Sequence, residues 1–399
     1  MTAEEQISQQ AISATLGADM AYCKFLSAND SGETGAHQSG ILIANSAKGM
    51  MFSDEELSAG GIPKKLIKIR WQDDFSTDGC FTWYASKHEF RLTRMGRGFP
   101  FLRPEYTGAL FILTKCGDEQ YDGFFLNTEN AINQYLDTFG LTPAETNRLI
   151  ELEAGTRLEL AERQAIDSFI DGLEEDFPAS DTMSSAARDI FRQARLPEGA
   201  DALQLIRNDP DNMLRDWTDE EYRLFKALEH ARYGALIEKG FQTVDDFIAL
   251  ANQVLNRRKS RAGKSLEHHL SAIFDACQIR YTAQGITEGN KRPDFIFPSI
   301  EDYHNVLFSV DGLCTLAAKT TCKDRWRQVL NEADRLRDRN KYLCTLQQGI
   351  SSAQLDEMRA EKVVLVVPKH YISSYPPKYQ DSIWTVRRFV GYVREMEGM

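Results

Sequence analysis

Asp294, Lys319, Glu332 and Glu267 are the residues of this 399-residue chain whose types and settings suit hydrolytic chemistry at a phosphate. Asp294 opens the β-like run of KRPDFIFPS directly after Pro293, where a strand start leaves the carboxylate accessible from a loop. Lys319 ends LCTLAAK; strand alternation puts Ala317 and Lys319 on one face and Leu316 and Ala318 on the other, so only small side chains flank the ammonium. A charged helix is expected from Asp324 to Asp338, with Trp326, Val329, Leu330, Ala333 and Leu336 as its core stripe and Arg325 and Glu332 sharing one flank. Glu267 sits at the edge of a second stripe, Leu266, Leu270, Ile273, Phe274 and Cys277, where a carboxylate is partly desolvated and calls for a cation or hydrogen bonds. Around one point, these groups supply what metal-assisted phosphodiester hydrolysis needs: carboxylate oxygens for a divalent cation, and a lysine to position or deprotonate water and offset charge. Taken singly, each has a plainer reading as a helix-boundary Glu, a Pro-Asp turn or a surface lysine. His268 and His269 are adjacent, so they point to different helix faces and do not suggest a shared zinc.

The elements that must position these residues fall into two classes. Residues 20–145 read as short β-like runs (ILIAN, LIKIRW, CFTWYAS, TGALFILT, GFFLN) separated by Gly, Ser, Asn and Asp, which suggests an antiparallel barrel or sandwich. From Pro143 to Arg207 the pattern turns helical and acidic, with Pro178 breaking it among polar neighbours. Helices are expected at Glu220–Lys239, Val244–Asn256 and Gly263–Gln278. Runs FIFP, VLFSV, LCTLAAK and VVLVV follow as strands, making an α/β second half. The expected division is 1–172 as an N-terminal domain, 173–180 as a hinge and 181–399 as the catalytic domain.

Composition sets bounds. No apolar run approaches a membrane span, and the start MTAEEQISQQ lacks the basic and apolar regions of a signal peptide, so a soluble cytoplasmic protein is expected. The seven cysteines have no CxxC pairing and read as reduced and mostly packed. A net charge of -12 argues against nucleic acid as a whole-chain partner. The charge is segregated, however. NRRKSRAGK, residues 256–264, holds five basic residues and no acid, and residues 87–103 hold five Lys and Arg against one Glu, a pattern that suits an anion held in grooves or, more blandly, a solvated face.

The stretches SRAGKSLE, ITEGNKRPDFIFPS and LAAKTTCKDRWRQVLNEAD, in that order, resemble the EcoRII family of type IIE restriction endonucleases, and LSANDSGETGAHQSG, RLTRMGRG and PEYTGAL resemble its N-terminal half. The similarity runs over nearly the whole chain and is weakest through the acidic helical middle. It implies a C-terminal restriction-endonuclease-like domain of the PD-(D/E)xK fold and an N-terminal DNA-binding β pseudobarrel. Carried over, Asp294, Glu332 and Glu267 hold Mg2+ and Lys319 is the catalytic lysine. Tyr303 lies close to the active site, and Trp217 falls where the family contacts a nucleotide turned out of the duplex. Position 317 is Ala where an acid would complete a plain D/ExK motif, which makes the displaced Glu332 the ligand the mechanism needs.

Lys323, Asp324 and Arg325 match the family's triplet that reads CC and GG flanks. Lys and Arg donate to guanine N7 and O6, and Asp accepts from cytosine N4. In the N-terminal half the resemblance assigns Glu33, Thr34, His37 and Gln38 on one arm, and Lys87, Arg91, Arg94 and Arg97 on another, to a second DNA copy. Leu42 and Phe90 depart from the pattern, which has polar or charged groups there. The resemblance thus implies a homodimeric, Mg2+-dependent endonuclease cutting double-stranded DNA at CC...GG, foremost 5'-CCWGG, with an allosteric effector domain and no nucleotide cofactor or membrane partner. The rival readings are a non-cleaving DNA-binding regulator, an interaction protein with solvated basic patches, and a nuclease of different specificity.

Overall fold

The computed structural model of the protein describes residues 3–34, 40–58, 62–96, 98–150, 160–196, 199–323 and 325–398. His37, Gln38, Arg97 and Asp324 lie outside the described residues. The N-terminal half contains helix α1 (Ala3–Leu16), strands β1 (Met20–Phe25) and β2 (Ile41–Ile43), and short helices α2 (Lys48–Met51) and α3 (Asp54–Ser58). Strands β3 (Lys64–Trp71), β4 (Ser76–Tyr84), β5 (Glu89–Thr93), β6 (Leu110–Gly117) and β7 (Gln120–Leu126) follow, then helix α4 (Glu129–Phe139) and strand β8 (Arg148–Ile150). These strands form one curled sheet in the order β2-β5-β4-β3-β7-β6-β1-β8, antiparallel except where β3 meets β7.

Strand alternation explains how that sheet buries both faces. Tyr22, Phe111, Leu113 and Phe125 turn inward to meet Ile69, Trp71, Phe81 and Phe90. Their neighbours Cys23, Phe25, Leu110, Ile112 and Phe124 turn outward, against Ile132, Tyr135 and Leu136 of α4 and Ile12 of α1. The helix α4 is thereby fixed on the outside of the barrel, and its first residue, Glu129, faces the catalytic half.

Helices α5 (Leu160–Asp171), α6 (Ser180–Arg195), α7 (Ala202–Asn208), α8 (Pro210–Lys239) and α9 (Val244–Ala276) lead into the second half. There, β9 (Thr282–Ala283), β10 (Phe295–Phe297), α10 (Ile300–His304), β11 (Cys314–Lys319) and β12 (Lys341–Thr345) precede α11 (Ser352–Ala360), β13 (Val363–Val366), α12 (Pro377–Gln380) and α13 (Val386–Met396). The sheet order is β13-β12-β11-β10-β9, parallel from β13 to β11 and antiparallel from β11 to β9. On one face, Leu266, Leu270, Ile273 and Phe274 of α9 pack with Phe295, Phe297, Leu316 and Phe389. On the other, Ala317, Leu343 and Leu365 pack with Trp326, Leu355 and Met358. The segment 172–179 is the turn of a helical hairpin: Ile166 and Ile170 before it and Met183, Ala187 and Ile190 after it all pack on Leu224, Phe225 and Leu228 of α8.

Three expectations about elements are corrected. The helix expected from Asp324 to Asp338 is instead a pair of 3-10 stretches, Arg325–Asn331 and Asp334–Leu336. The pairs Trp326/Val329 and Ala333/Leu336 recur every three residues, the repeat of a 3-10 turn. The run VLFSV is not a strand: Val306 and Leu307 are 88% and 91% exposed, and Val310 opens a 3-10 turn. The breaks expected between Asn256 and Gly263 are absent, because α9 continues through NRRKSRAGK; Gly263 sits in open space, where it costs the helix only about 1 kcal/mol.

The two halves meet backbone to backbone. Gly108 (φ +78°) lies so close to the catalytic half that a Cβ there would stand 2.1 Å from the Gly349 carbonyl oxygen. Around it, the Gln347 side-chain amide donates to the Gly108 carbonyl at 3.2 Å, and Ala28 N donates to the Ser374 carbonyl at 2.9 Å. All seven cysteines are free thiols, and six are buried. No helix among the described residues is long and apolar enough to cross a membrane.

Candidate active site

Register between β10 and β11 builds the centre of the site. Phe295 is opposite Leu316, so Asp294, one step before the strand, reaches the end of β11. Its Oδ2 accepts from the Ala318 backbone N–H at 2.7 Å and from the Lys319 ammonium at 2.9 Å. Asp294 is buried, and the burial is tolerated because every oxygen is met: Oδ1 accepts from the Gln284 side-chain amide at 3.0 Å. The same Gln284 nitrogen donates to Glu267 Oε2 at 3.0 Å, and Lys264 lies 3.5 Å from that oxygen.

Glu332 arrives from the 3-10 segment. Its backbone carbonyl accepts from Thr287 Oγ1 at 2.6 Å, which ties the segment to the loop after β9. Burial, then the charge of Asp294, pushes its carboxyl up to about 7, partly offset by Lys319. Glu267 is also raised, by burial first and then by Asp294, with Lys264, Gln284 and Lys319 opposing. Asp294, Lys319 and Glu267 are thus linked directly or through Gln284, and Glu332 lies near enough for the charges of Asp294 and Lys319 to act on it. Gln284 is the neighbour that sequence reasoning missed; a single Gln after a two-residue strand carries no pattern.

The donor chemistry suits a hard divalent cation: three carboxylates and two ammonium groups, with Glu332 held towards its neutral form by burial first and by the charge of Asp294 second. Among the described residues no three His, Cys, Asp or Glu are yet drawn together closely enough to hold an ion. Both oxygens of Asp294 are engaged, by Lys319, the Ala318 N–H and Gln284.

Tyr303 is close by but does not face Asp294. It is buried; its hydroxyl donates to Glu288 at 2.6 Å and accepts from the Arg335 N–H at 3.2 Å, while Arg335 also caps carbonyls of residues 302–308. Its contacts hold the turn that delivers Glu332. Trp217 is 4% exposed in the core of the catalytic half, with its ring beside His269 and under Arg188, and in this arrangement it has no face for an extruded base. The adjacent histidines do diverge: His269 is buried against Glu221, and His268 bonds Ser180.

The positions expected to read bases are held by the N-terminal half. Arg325 N–H donates to Glu129 Oε2 at 2.9 Å and its guanidinium pairs with Oε1; Thr321 donates to Asn133 at 2.8 Å, and Lys323 bonds Asn127. A cleft of about 1070 Å³ opens beside them, lined by Glu129, Asn133, Asp137, Lys259, Thr320 and Arg325. The basic run 256–264 divides: Lys259 and Lys264 are exposed and Lys259 lines this cleft, whereas its three arginines are engaged within the protein. Arg258 pairs with Glu229 at 2.8 Å and bonds the Thr138 carbonyl, Arg261 bonds the Gly140 carbonyl at 3.0 Å, and Arg257 lies over Phe177.

On the N-terminal arms, Glu33 accepts from Thr107 at 2.8 Å and from the Ser352 N–H of the other half at 3.2 Å, and Thr34 donates to Asn29. Arg91 is buried beside Glu89, Lys87 is exposed, and Arg94 lines a concavity of about 720 Å³ with Lys64 and Arg103. Lys64 was not anticipated, whereas Arg103 closes the basic stretch 87–103. Phe90 is a core residue, and Leu42 pairs with Arg91 across β2 and β5, so these departures serve the barrel.

Family models described as "EcoRII C terminal" and "Restriction endonuclease EcoRII, N-terminal" match residues 225–390 and 15–133. The chain is 37% identical to the Type II restriction enzyme EcoRII of Escherichia coli, over 92% of each chain. It is 28% identical to the Type II restriction enzyme SsoII of Shigella sonnei, over 30% of this chain and 40% of the relative. A solved structure of metal-depleted Ecl18kI in complex with uncleaved, modified DNA has a TM-score of 0.45 at 18% identity, covering 59% of this chain and 84% of that one. The identity to EcoRII and the two matched models, one in each half, carry the conclusion: this chain belongs to the EcoRII family of type II restriction endonucleases.

Proposed function

We propose that the protein is a Mg2+-dependent homodimeric endonuclease that cuts double-stranded DNA at CC...GG sites, foremost 5'-CCWGG, and that its N-terminal domain binds a second copy of the site as an allosteric effector. The observation that carries the cleavage reading is the convergence of Asp294, Lys319, Glu332 and Glu267 around the end of β11. Asp294 and Glu332, with Glu267, would hold the cation. Bound there, it supplies charge neutralisation at the scissile phosphate and a more acidic water. Lys319, 2.9 Å from Asp294, orients that water and offsets the negative charge that builds as the phosphate is attacked. Each catalytic domain would cut one strand, with Lys323 and Arg325 donating to guanine and Asp324 accepting from cytosine.

The effector reading is supported by the way the halves meet. Arg325 spends its backbone N–H and its Nε on Glu129, so a side chain proposed to read a base is tied to the N-terminal half, as a closed state would require. Two sites and two states of different DNA affinity are what allosteric coupling requires. The test is cleavage of a duplex carrying one 5'-CCWGG in Mg2+, alone and with a second, uncleavable duplex of the same site. Slow cleavage accelerated by the second duplex is expected. No cleavage in either case overturns the nuclease reading, and equal rates overturn the effector.

A further inference from the structure

Gln284 joins the site from an unusual backbone position. Its φ is 54°, in the left-handed region that a residue with a side chain seldom occupies, and its N–H donates to the Asp294 carbonyl at 3.1 Å. The next residue must stay small, since a Cβ on Gly285 would stand 3.1 Å from Ile296 and 3.2 Å from Ile300. This turn aims the carboxamide between two acids on different elements: Nε2 is 3.0 Å from Glu267 Oε2 on α9 and 3.0 Å from Asp294 Oδ1 at the start of β10. Two N–H bonds to two carboxylates use the donor capacity of that nitrogen. The partial positive charge of an amide therefore lies directly between two carboxylates, whose ammonium partners, Lys264 and Lys319, approach each from one side only. The side chain is only half-buried, which leaves it a path outwards.

We propose that Gln284 is a positioning residue that stands in for the divalent cation in the closed protein, bridging Glu267 and Asp294 and giving way when the ion binds. The inference rests on the reading of those acids as metal ligands. A cation sharing these carboxylates needs their oxygens within about 2.0–2.6 Å of itself, and a donor nitrogen in hydrogen-bond contact with both occupies that space. The bridge stabilises the ion-free site, so it opposes ion uptake and must open first. It also keeps the acids from relaxing apart, so the ligands remain at hand once it has opened.

The test is direct titration of the full chain with Mn2+, read by calorimetry and by the spin resonance of free Mn2+. Gln284→Met keeps the volume and removes the bridge; Gln284→Lys puts a full charge in its place. The expected results are a dissociation constant about tenfold tighter for the Met variant and at least tenfold weaker for the Lys variant. A Gln that merely supported the fold would weaken ion binding in both. Weaker or unchanged binding in the Met variant overturns the inference, and the Lys variant alone overturns it if ion binding is unaffected. A wild-type chain that takes up no Mn2+ removes the metal reading itself. If Mn2+ binds the wild type but Asp294→Ala does not weaken it, the ion lies elsewhere and both fail.

Discussion

Lys319 and Arg325 leave the same strand end, yet their partners come from opposite parts of the molecule. Lys319 pairs with Asp294, 25 residues away in the same half, whereas Arg325 is held by Glu129, 196 residues away in the other half. Asp294, Glu267, Gln284 and Lys264 likewise satisfy one another within the catalytic half, and Thr287 anchors the Glu332 backbone there. The Asp294 cluster is therefore held within its own half, while the Arg325 segment is held by the other. Under the proposed roles, such a division would let a domain contact control DNA reading and leave the chemistry assembled.

The sharpest way to break this comparison is to remove the centre of the self-contained cluster. Asp294→Ala or Lys319→Ala should lower single-turnover cleavage by roughly three orders of magnitude or more while duplex binding persists. A variant cutting as fast as wild type would dismantle the site. The opposite sign is expected across the domain contact. Glu129→Gln weakens the hold on Arg325, and cleavage of one-site DNA should rise about tenfold, with a fall in thermal stability. Unchanged one-site cleavage would separate the contact from control.

Proton linkage offers a further test inside the cluster. Folded Glu332 keeps its proton up to about pH 7, against an ordinary value of 4.5, because burial and Asp294 disfavour its charge. The stability of the ion-free protein is then full below the ordinary value and declines as pH rises through about 7. Glu332→Gln does not titrate, so urea unfolding in chelator should find it more stable than wild type by about 1–3 kcal/mol above that range and equal at the acidic end. A difference independent of pH would place Glu332 outside the cluster. The smallest effect is expected at Tyr303→Phe, which loses two hydrogen bonds around Glu288: about 1 kcal/mol of stability and a several-fold loss of rate. A loss as large as that of Asp294→Ala would make the hydroxyl catalytic.

The same contrast explains how much of the molecule is legible in its sequence. Asp294 and Lys319 can be read because a strand start and a strand end carry local signals, and the apolar stripe of α9 marks the edge on which Glu267 stands. The 3-10 geometry around Glu332 is hidden because apolar spacings of three and four residues satisfy both helix types over so short a stretch. Gln284 is invisible, since its role depends on a turn and on two acids from other elements. Arg258, Arg261 and Glu129 are misjudged or missed for one reason: their partners lie at the domain contact, far away in the chain, and no local pattern announces such a pairing. The barrel strands follow from alternation, but β1, β5 and β8, whose runs mix charges with apolar residues or are very short, do not.

The most direct measurement is the sequencing of ends released from a plasmid of known sequence by the full chain in Mg2+, with a chelator control and with Asp294→Ala beside it. A magnesium-bound cluster centred on Asp294 should release ends at 5'-CCWGG sites with the wild type in Mg2+, and leave the plasmid intact in both controls. An intact plasmid in all three, or ends at unrelated positions that the Asp294→Ala variant also produces, would contradict it.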